Sequence, residues 1–262
     1  MSGFDAPRLA AAVGNLPLVR RVVFLEEAGS TNDEARRLAG AQAPEGTVVI
    51  AGRQLAGRGR LGRSWDSPDM LGLYLSLLLR PEDPMERIGR YPIAGAVAVC
   101  TACRKLAGES VVLKWPNDVL ASGAKLAGVL CEMRQGASGT ELVLGIGINC
   151  NQGPDDFPPE LRTAATSLRI LRGGRAVPRE VVAASLLSDL SETIDRLRRG
   201  DWPEVSDRFL RYAPDATGRR VRLTAGGDGL TRGLDPTGAL RVATATGIEL
   251  VHASESVALI ED

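Results

Sequence analysis

Lysine is scarce in this 262-residue chain, which has three lysines against 29 arginines. Two of them, Lys114 and Lys125, lie eleven positions apart in the segment LKWPNDVLASGAKLAGVL. Lysine carries a compact charge on a flexible stem, whereas the guanidinium of arginine is a planar fork. A lysine that persists in an arginine-rich chain therefore indicates a crowded site that needs a small cation, although an arginine bias alone would also leave a few lysines.

The chain also lacks an excess of either charge and a long apolar run. Its formal net charge is zero, which argues against a general binder of nucleic acid or membrane surfaces, because such proteins need a net basic face. No apolar run approaches the roughly 18 residues of a membrane span, and residues 1–17 have no signal-peptide pattern. We therefore expect a cytoplasmic protein that binds neither nucleic acid nor membrane.

Histidine and cysteine are too few for several kinds of chemistry. Cys100 and Cys103 form a C-x2-C pair in an apolar predicted helix, and no second pair of cysteines or histidines completes a zinc site. The single histidine, His252, lies near the C-terminus, far from every glycine-rich segment. These facts argue against histidine-based triads and HExxH metalloproteases, so we expect packing roles for the cysteines and a reaction without imidazole.

The pattern of apolar residues predicts an α+β fold. Aromatic residues make up only 4% of the chain, so aliphatic side chains must fill the core. Periodicity predicts helices near Ser30, over 87–105 and over 178–199, with a further one after 201. Predicted strands cover 20–26, 46–52, 71–81, 111–115, 125–133 and 141–148, the last three as an antiparallel meander.

The sequence pattern changes near Asp215, from long helices and strands to short strands. Short predicted strands follow one another with Asp-Gly and Thr-Gly turns between them, which is typical of a small β-barrel. We therefore expect two domains, a large one over residues 1–214 and a small barrel over residues 215–262. The large domain should contain a central mixed, largely antiparallel sheet with flanking helices.

Residues 53–65, which we call the arginine loop, combine four arginines with three glycines and contain no acid. Backbone amides turned inward at glycines and bidentate guanidinium donors suit a polyanion such as the phosphate chain of a nucleotide. The loop lacks the GK[ST] of a Walker motif, and an exposed flexible hairpin would have the same composition. Gln54 could bond an amide or ureido edge, and Trp65 could stack on a ring or cover an apolar pocket.

Further candidates lie at strand ends. Asp118, in KWPND, could hold Mg²⁺, accept a proton from an amine, or cap a turn. Gly128 in KLAG and the glycines of GIGIN, at 145 and 147, weaken neighbouring strands at matching places. Such glycines predict a groove along one face of the sheet, with a bulge at a sheet bend as the alternative.

Taken together, the motifs STND, QLAGRGRLGRSW, KWPND, KLAG and GIGIN occur in this order over about 120 residues, and they closely resemble those of biotin–protein ligases. The resemblance extends through nearly the whole chain, because that family has a class II synthetase-like catalytic domain and a small C-terminal SH3-like barrel. The chain is similar to the short class without the N-terminal DNA-binding domain. It departs from the family in HASES, which lacks the glycine often found before the acid.

The resemblance implies ATP-dependent activation of biotin to biotinyl-5′-AMP, with Mg²⁺, in a catalytic domain over residues 1–214. It further implies transfer of biotin to one lysine of a biotin carboxyl carrier domain of acetyl-CoA, acyl-CoA or pyruvate carboxylase. Motif matching implies that Lys125 bridges the biotin carboxyl group and the α-phosphate, with Arg58 and Arg60 closing over both ligands. Asp118 would orient the acceptor amine or hold Mg²⁺. We expect a monomer or a weak homodimer.

The same matching implies two sets of binding residues. Those implied for biotin are Ser30, Thr31, Asn32, Gln54, Gly57, Arg58, Gly59, Arg60, Lys125 and Gly128. Those implied for ATP are Arg58, Arg60, Trp65, Lys114, Asn117, Lys125 and Asn149.

Three other functions are weighed against this prediction. A lipoate–protein ligase or octanoyl transferase of the same superfamily would lack the GRGRLG and KWPND segments. A transcriptional repressor that senses biotinyl-AMP would need a DNA-binding segment before the first strand. A non-catalytic biotin-binding protein would leave the arginine loop and Lys125 without a purpose.

Overall fold

The computed structural model describes residues 4–136, 139–159, 161 and 165–260. These residues form a seven-stranded sheet with flanking helices and a five-stranded antiparallel sheet, which we call the C-terminal sheet. The strands of the seven-stranded sheet are β1 (Arg21–Ala28), β2 (Thr47–Gln54), β3 (Gly72–Leu79), β4 (Val111–Lys114), β5 (Asp118–Ala121), β6 (Ala124–Gly136) and β7 (Gly139–Asn149).

The seven-stranded sheet is mixed and largely antiparallel, as predicted. Its spatial order is β1-β2-β3-β7-β6-β5-β4, and only the pair β1–β2 among these neighbours is parallel. The predicted meander has four strands rather than three, because the sequence analysis placed Asp118–Ala121 in a connection. Four residues are too few for alternation to be recognised. The two-residue turn at Ser122 and Gly123, both with positive φ, closes the β5–β6 hairpin.

Six helices flank the sheets in the described part of the chain. They are α1 (Ala6–Val13), α2 (Thr31–Gly40), α3 (Arg90–Ala107), α4 (Leu168–Leu171), α5 (Arg179–Arg198) and α6 (Trp202–Tyr212). Helix α1 was not predicted, and α3 begins three residues later than expected, after a short 3₁₀ turn. None of these helices is both long and apolar enough to cross a bilayer.

Alternation along β7 gives the seven-stranded sheet two different faces. Leu142, Leu144, Ile146 and Ile148 enter the main aliphatic core, which α3 and α5 cover. The intervening residues, from Val143 to Asn149, point to the opposite face, where α2 packs only over the part near Val143. The remainder of that second face is available for a ligand.

The C-terminal sheet lies beside the end of α3. Its strands are β8 (Thr217–Leu223), β9 (Asp228–Leu234), β10 (Leu240–Thr244), β11 (Gly247–Val251) and β12 (Val257–Leu259), in the order β11-β10-β9-β8-β12. Trp115 Nε1 donates to the Gly238 carbonyl at 3.2 Å, and Arg90 Nε donates to the Pro236 carbonyl at 2.6 Å. These bonds attach the turn between β9 and β10 to the start of α3 and to the residue after β4. The domain boundary at residue 215 stays a prediction.

Candidate active site

A cavity of about 720 Å³ lies on the second face of the seven-stranded sheet. Its walls come from the N-terminal end of α2, the arginine loop and the ends of β5, β6 and β7. The cavity therefore occupies the place where the sequence predicts a groove.

Glycines form the floor of this cavity. A Cβ atom at Gly145 would lie 2.2 Å from Asn32 Oδ1, and one at Gly147 would lie 2.4 Å from the Trp65 ring. A Cβ atom at Gly128 would meet the same ring at 3.3 Å. The predicted groove is therefore present, and β6 and β7 pair without a register shift at these glycines. The alternative, a bulge, also occurs nearby, because β6 shifts register against β5 between Lys125 and Ala127.

A buried hydrogen-bond network supports one end of the cavity. Thr31 donates its backbone N–H and its hydroxyl to Gln54 Oε1, at 2.8 and 3.1 Å. Ser76 Oγ lies 2.8 Å from Thr31 Oγ1 and donates to Asn32 Oδ1 at 2.6 Å. Asn32 Nδ2 then donates to Glu132 Oε2 at 2.6 Å. The side chains of Thr31 and Asn32 are therefore oriented by the protein itself.

Two arginines hold the arginine loop against the rest of the chain. Arg58 donates to both carboxylate oxygens of Asp33, at 2.7 and 2.8 Å. These bonds hold the pKa of Asp33 at about 2, below its ordinary value. Arg60 donates to Asn117 Oδ1 at 3.1 Å and lies 3.7 Å from Glu255. The loop is a hairpin, as the alternative supposed, with an antiparallel bridge between Arg58 and Ser64, and these contacts attach it to the rest of the chain.

Lys125 projects into the cavity from β6. Its Nζ lies 2.7 Å from Asp118 Oδ1 and 5.7 Å from the centroid of the Trp65 ring. Its backbone carbonyl accepts a bond from Asn149 Nδ2 at 3.3 Å. Asp118 is the first residue of β5, and its carboxylate bonds Lys125. Its side chain therefore does not act as a turn cap.

Comparisons with known proteins agree with this geometry. Residues 28–149 match the model of the biotin/lipoate A/B protein ligase family. The chain is 36% identical to the biotin–[acetyl-CoA-carboxylase] ligase of Mycobacterium tuberculosis, over 84% of this chain and 82% of that protein. It is 35% identical to the bifunctional ligase/repressor BirA of Bacillus subtilis, over 90% of this chain and 73% of that protein. The chain belongs to the biotin protein ligase family.

A solved structure extends the likeness to nearly the whole fold of this ligase. The biotin protein ligase from Aquifex aeolicus in complex with biotin and ATP superposes with a TM-score of 0.77 at 30% identity. The match covers 93% of this chain and all of that one. The expected fold, a catalytic domain followed by a small β-domain, is therefore confirmed.

Most of the residues implied by the family motifs line the cavity of the ligase. They are Ser30, Thr31, Asn32, Gln54, Arg58, Gly59, Arg60, Trp65, Asn117, Asp118, Lys125, Gly128 and Asn149. Two do not. Gly57 lies beneath the loop, where a Cβ atom would be 2.4 Å from the Trp65 carbonyl oxygen, and Lys114 is exposed on β4.

Sequence reasoning missed several residues at the site. Ser76 is completely buried beneath α2, and its only signal was a lone serine in the apolar strand GLYLSLLL. Asp66 lines the cavity, and burial raises the pKa of its carboxyl group. Gln152 Oε1 and Trp65 Nε1 are buried at the cavity with no partner among the described residues. Such unpaired polar atoms suit a ligand that supplies the missing bonds.

His252 was expected to lie far from every glycine-rich segment, and the structure shows otherwise. It lines a smaller cavity of about 190 Å³ together with Trp115, Thr237 and Arg60 of the arginine loop. The C-terminal sheet folds back onto α3, so a large separation in sequence becomes a short one in the fold. His252 does not line the larger cavity.

The ligase offers few ligands for a metal ion in its described residues. They contain no group of three or more histidine, cysteine, aspartate or glutamate side chains that could hold one. Asp118 is already paired with Lys125. Mg²⁺ prefers several oxygen ligands and commonly takes them from substrate phosphates. An ion that arrives with ATP therefore fits this donor set better than a resident metal.

Proposed function

We propose that this chain is a biotin–[acetyl-CoA-carboxylase] ligase that converts biotin and MgATP to biotinyl-5′-AMP and pyrophosphate. It then transfers biotin to one lysine of a biotin carboxyl carrier domain. The observation that carries the proposal is Lys125, a compact cation in the wall of a glycine-floored cavity beside the arginine loop. The relative of the same name and the solved relative with biotin and ATP bound support it.

In the first step a carboxylate oxygen of biotin attacks the α-phosphorus of ATP. The bond from that phosphorus to the bridging oxygen breaks, and pyrophosphate leaves with the electron pair. Two anions must therefore be held in contact. At about 4 Å and an effective dielectric constant near 20, one charge pair is worth roughly 4 kcal/mol. A fixed cation such as the Lys125 ammonium offsets this repulsion, which corresponds to about 10³-fold in rate.

The arginine loop supplies the other cations. Arg58 and Arg60 both line the cavity, and a guanidinium group can bind a phosphate through two parallel bonds. Both are bonded to side chains of the protein itself, Arg58 to Asp33 and Arg60 to Asn117. A nucleotide therefore meets donors that are held in place, which lowers the entropic cost of binding.

Biotin is proposed to bind at the end of the cavity formed by α2 and β3. Its ureido ring has donors and acceptors that would lose hydrogen bonds to water on burial. Ser30, Thr31 and Asn32 lie there, and the Gln54 and Ser76 contacts orient Thr31 and Asn32. The fused rings are proposed to lie near the glycine floor, where the lack of side chains lets a ligand approach the backbone and where the Trp65 ring lies against Gly147.

The nucleotide is proposed to bind toward the ends of β5, β6 and β7. Asn117 and Asn149 line this part of the cavity, and the indole of Trp65 supplies an aromatic surface. Gln152 bonds Asn149 through its Nε2 at 3.1 Å, which leaves its buried Oε1 available. An adenine amino group could complete that atom's hydrogen bonding.

In the second step the amine of the acceptor lysine attacks the acyl carbon of biotinyl-5′-AMP, and AMP leaves. The amine must lose a proton as the amide forms. Asp118 is proposed to orient that amine and to take the proton, once the Lys125 ammonium has moved from its carboxylate to the anionic adenylate. Their separation of 2.7 Å supports this proposal, because both groups line the cavity side by side.

The test is to incubate the purified chain with ATP, Mg²⁺, biotin and the carrier domain of acetyl-CoA carboxylase. We expect biotin-dependent ATP–pyrophosphate exchange and biotin on one carrier lysine, identified by mass spectrometry. Lipoate in place of biotin serves as the control and should support neither reaction. Exchange that is absent with biotin, or equal with lipoate, would overturn the proposal. Sedimentation of the same sample tests the proposed monomer or weak homodimer.

A further inference from the structure

Four charged side chains beside the mouth of the cavity form what we call the charge network. Asp33 and Arg36 belong to α2, Arg58 belongs to the arginine loop, and Glu132 belongs to β6. Arg58 is bonded to both oxygens of Asp33 and lies 3.6 Å from Glu132. Arg36 pairs with Asp33 and lies 3.2 Å from Glu132. Each acid therefore contacts both arginines.

Asp33 has a different position from the three residues before it. Ser30, Thr31 and Asn32 line the cavity, whereas Asp33 does not. Successive residues of a helix point about 100° apart, because each turn contains 3.6 residues. The STND segment thus directs its first three side chains toward the ligand site and its fourth toward the arginine loop.

The middle of the arginine loop has little apolar packing to hold it. Its two large apolar side chains are turned to solvent, with Leu55 67% and Leu61 64% exposed. Closure of this part therefore depends on polar contacts. Arg58 bonds the charge network on one side, and Arg60 bonds Asn117 and lies near Glu255 on the other. The loop is anchored in two directions by two arginines.

We propose that Asp33 is a positioning residue that fixes the guanidinium of Arg58 and so holds the arginine loop closed before substrate binds. A bidentate arginine–carboxylate bond restricts both the distance and the plane of the guanidinium. A second pair of charges behind it makes the contact more effective than an isolated surface pair. This inference rests on the proposed function, in which the closed loop keeps biotinyl-5′-AMP in the cavity until the carrier arrives.

Trypsin gives a readout of loop closure that needs no substrate. The protease cleaves after arginine, and the loop offers cleavage sites after Arg58, Arg60 and Arg63. Asp33→Asn removes the charge and nearly preserves the shape of the side chain. We expect cleavage at these three sites to accelerate about 3- to 10-fold, because local opening becomes easier. We expect release of biotinyl-5′-AMP without a carrier to rise by a similar factor.

Glu34→Gln provides the matched control. Glu34 is the next residue in the first turn of α2 and pairs with Arg37 at 2.8 Å. Its loss removes the same favourable charge from the helix N-terminus but no contact with the arginine loop. We expect wild-type cleavage rates in this variant. Asp33→Glu keeps a carboxylate and should restore slow cleavage in part.

The two proposals fail in different ways. Asp33→Asn digested at the wild-type rate, or Glu34→Gln accelerated equally, would overturn the positioning role even if ligase activity is normal. Wild-type protein without biotin-dependent ATP–pyrophosphate exchange would overturn the proposed function, while the proteolysis would still measure loop closure. Circular dichroism and thermal unfolding of each variant separate local opening of the loop from loss of the fold.

Discussion

The two faces of the seven-stranded sheet are built from the same strands but differ in what they bury. On β7, Leu144 and Ile146 point into an aliphatic core beneath α3 and α5. Gly145 and Gly147 alternate with them and form the bare floor of the cavity. The period of two in a strand therefore places packing and ligand binding on opposite sides of one segment.

This difference separates the sources of stability from those of function. The aliphatic face removes large side chains from water, which is the main favourable term in folding. The cavity face contributes little in this way, because glycine in a strand weakens it and offers no side chain to pack. Its buried polar groups instead bond one another, as Ser76 and Asn32 do. Substitutions on the two faces should consequently change different measured quantities.

Lys125→Ala is expected to have the largest effect, on the cavity face. Loss of the ammonium leaves the repulsion between carboxylate and phosphate uncompensated, so biotin-dependent ATP–pyrophosphate exchange should fall about 10³-fold. The free energy of unfolding should change little, because the Lys125 side chain is partly exposed, at 31%. Lys114→Ala is the comparison variant, and its exposed position on β4 predicts a much smaller effect. Retained exchange in Lys125→Ala would remove this lysine from its proposed role.

Leu144→Ala tests the aliphatic face. Leu144 is completely buried and packs beside Gly95 of α3. Truncation leaves a cavity in the core, so the free energy of unfolding in urea should fall by about 2–5 kcal/mol. The KM for biotin should stay within about twofold of wild type while the protein is folded. A large rise in the KM for biotin without a loss of stability would contradict the claim that this face serves packing and the other face serves ligand binding.

Gly145→Ala makes the complementary change one residue away. The added methyl group would displace the Asn32 side chain and disturb its bond with Ser76. Since an imperfectly bonded buried polar group costs about 1–3 kcal/mol, we expect the KM for biotin to rise roughly 10- to 100-fold. Urea unfolding should shift less than in Leu144→Ala. Unchanged biotin affinity would show that the glycine floor does not shape the biotin site.

Glu255→Gln is expected to have the smallest effect, because it alters only the rim of the cavity. Glu255 lies 3.7 Å from Arg60 and its side chain is 36% exposed. Pairs of this kind are weak and screened by salt, so the KM for ATP should change by about 2- to 5-fold at low salt. The difference should disappear at high salt. Glu249→Gln, on β11 of the C-terminal sheet, is the matched control and should behave as wild type.

The fold could be predicted largely because most of its elements carry local signals. The strand that contains GIGIN and the helix that contains Cys100 were both located from the pattern of apolar residues. Strand β5 was missed because it is only four residues long. Helix α1 was missed because it lies in the short segment before the first strand. Where an element has too few residues to show its period, tertiary pairing decides its structure.

The site could be predicted to the extent that its residues occur in compact motifs. Lys125, Arg60 and Asn32 fall in such motifs, and all three line the cavity. Ser76 and His252 do not. Ser76 lies inside an apolar strand, and His252 comes to line the same small cavity as Arg60 only because the chain folds. Contacts between residues far apart in sequence leave no local trace, so they had to come from the structure.

The indole of Trp65 rests directly on bare backbone at Gly147 and Gly128. No methyl group separates the ring from the sheet, so we expect a ligand that lies on these glycines to contact the ring or to displace it. The other two tryptophans, Trp115 and Trp202, are buried elsewhere in the fold. Ligand binding should therefore change the fluorescence of Trp65, while the signal of the two buried tryptophans stays nearly constant.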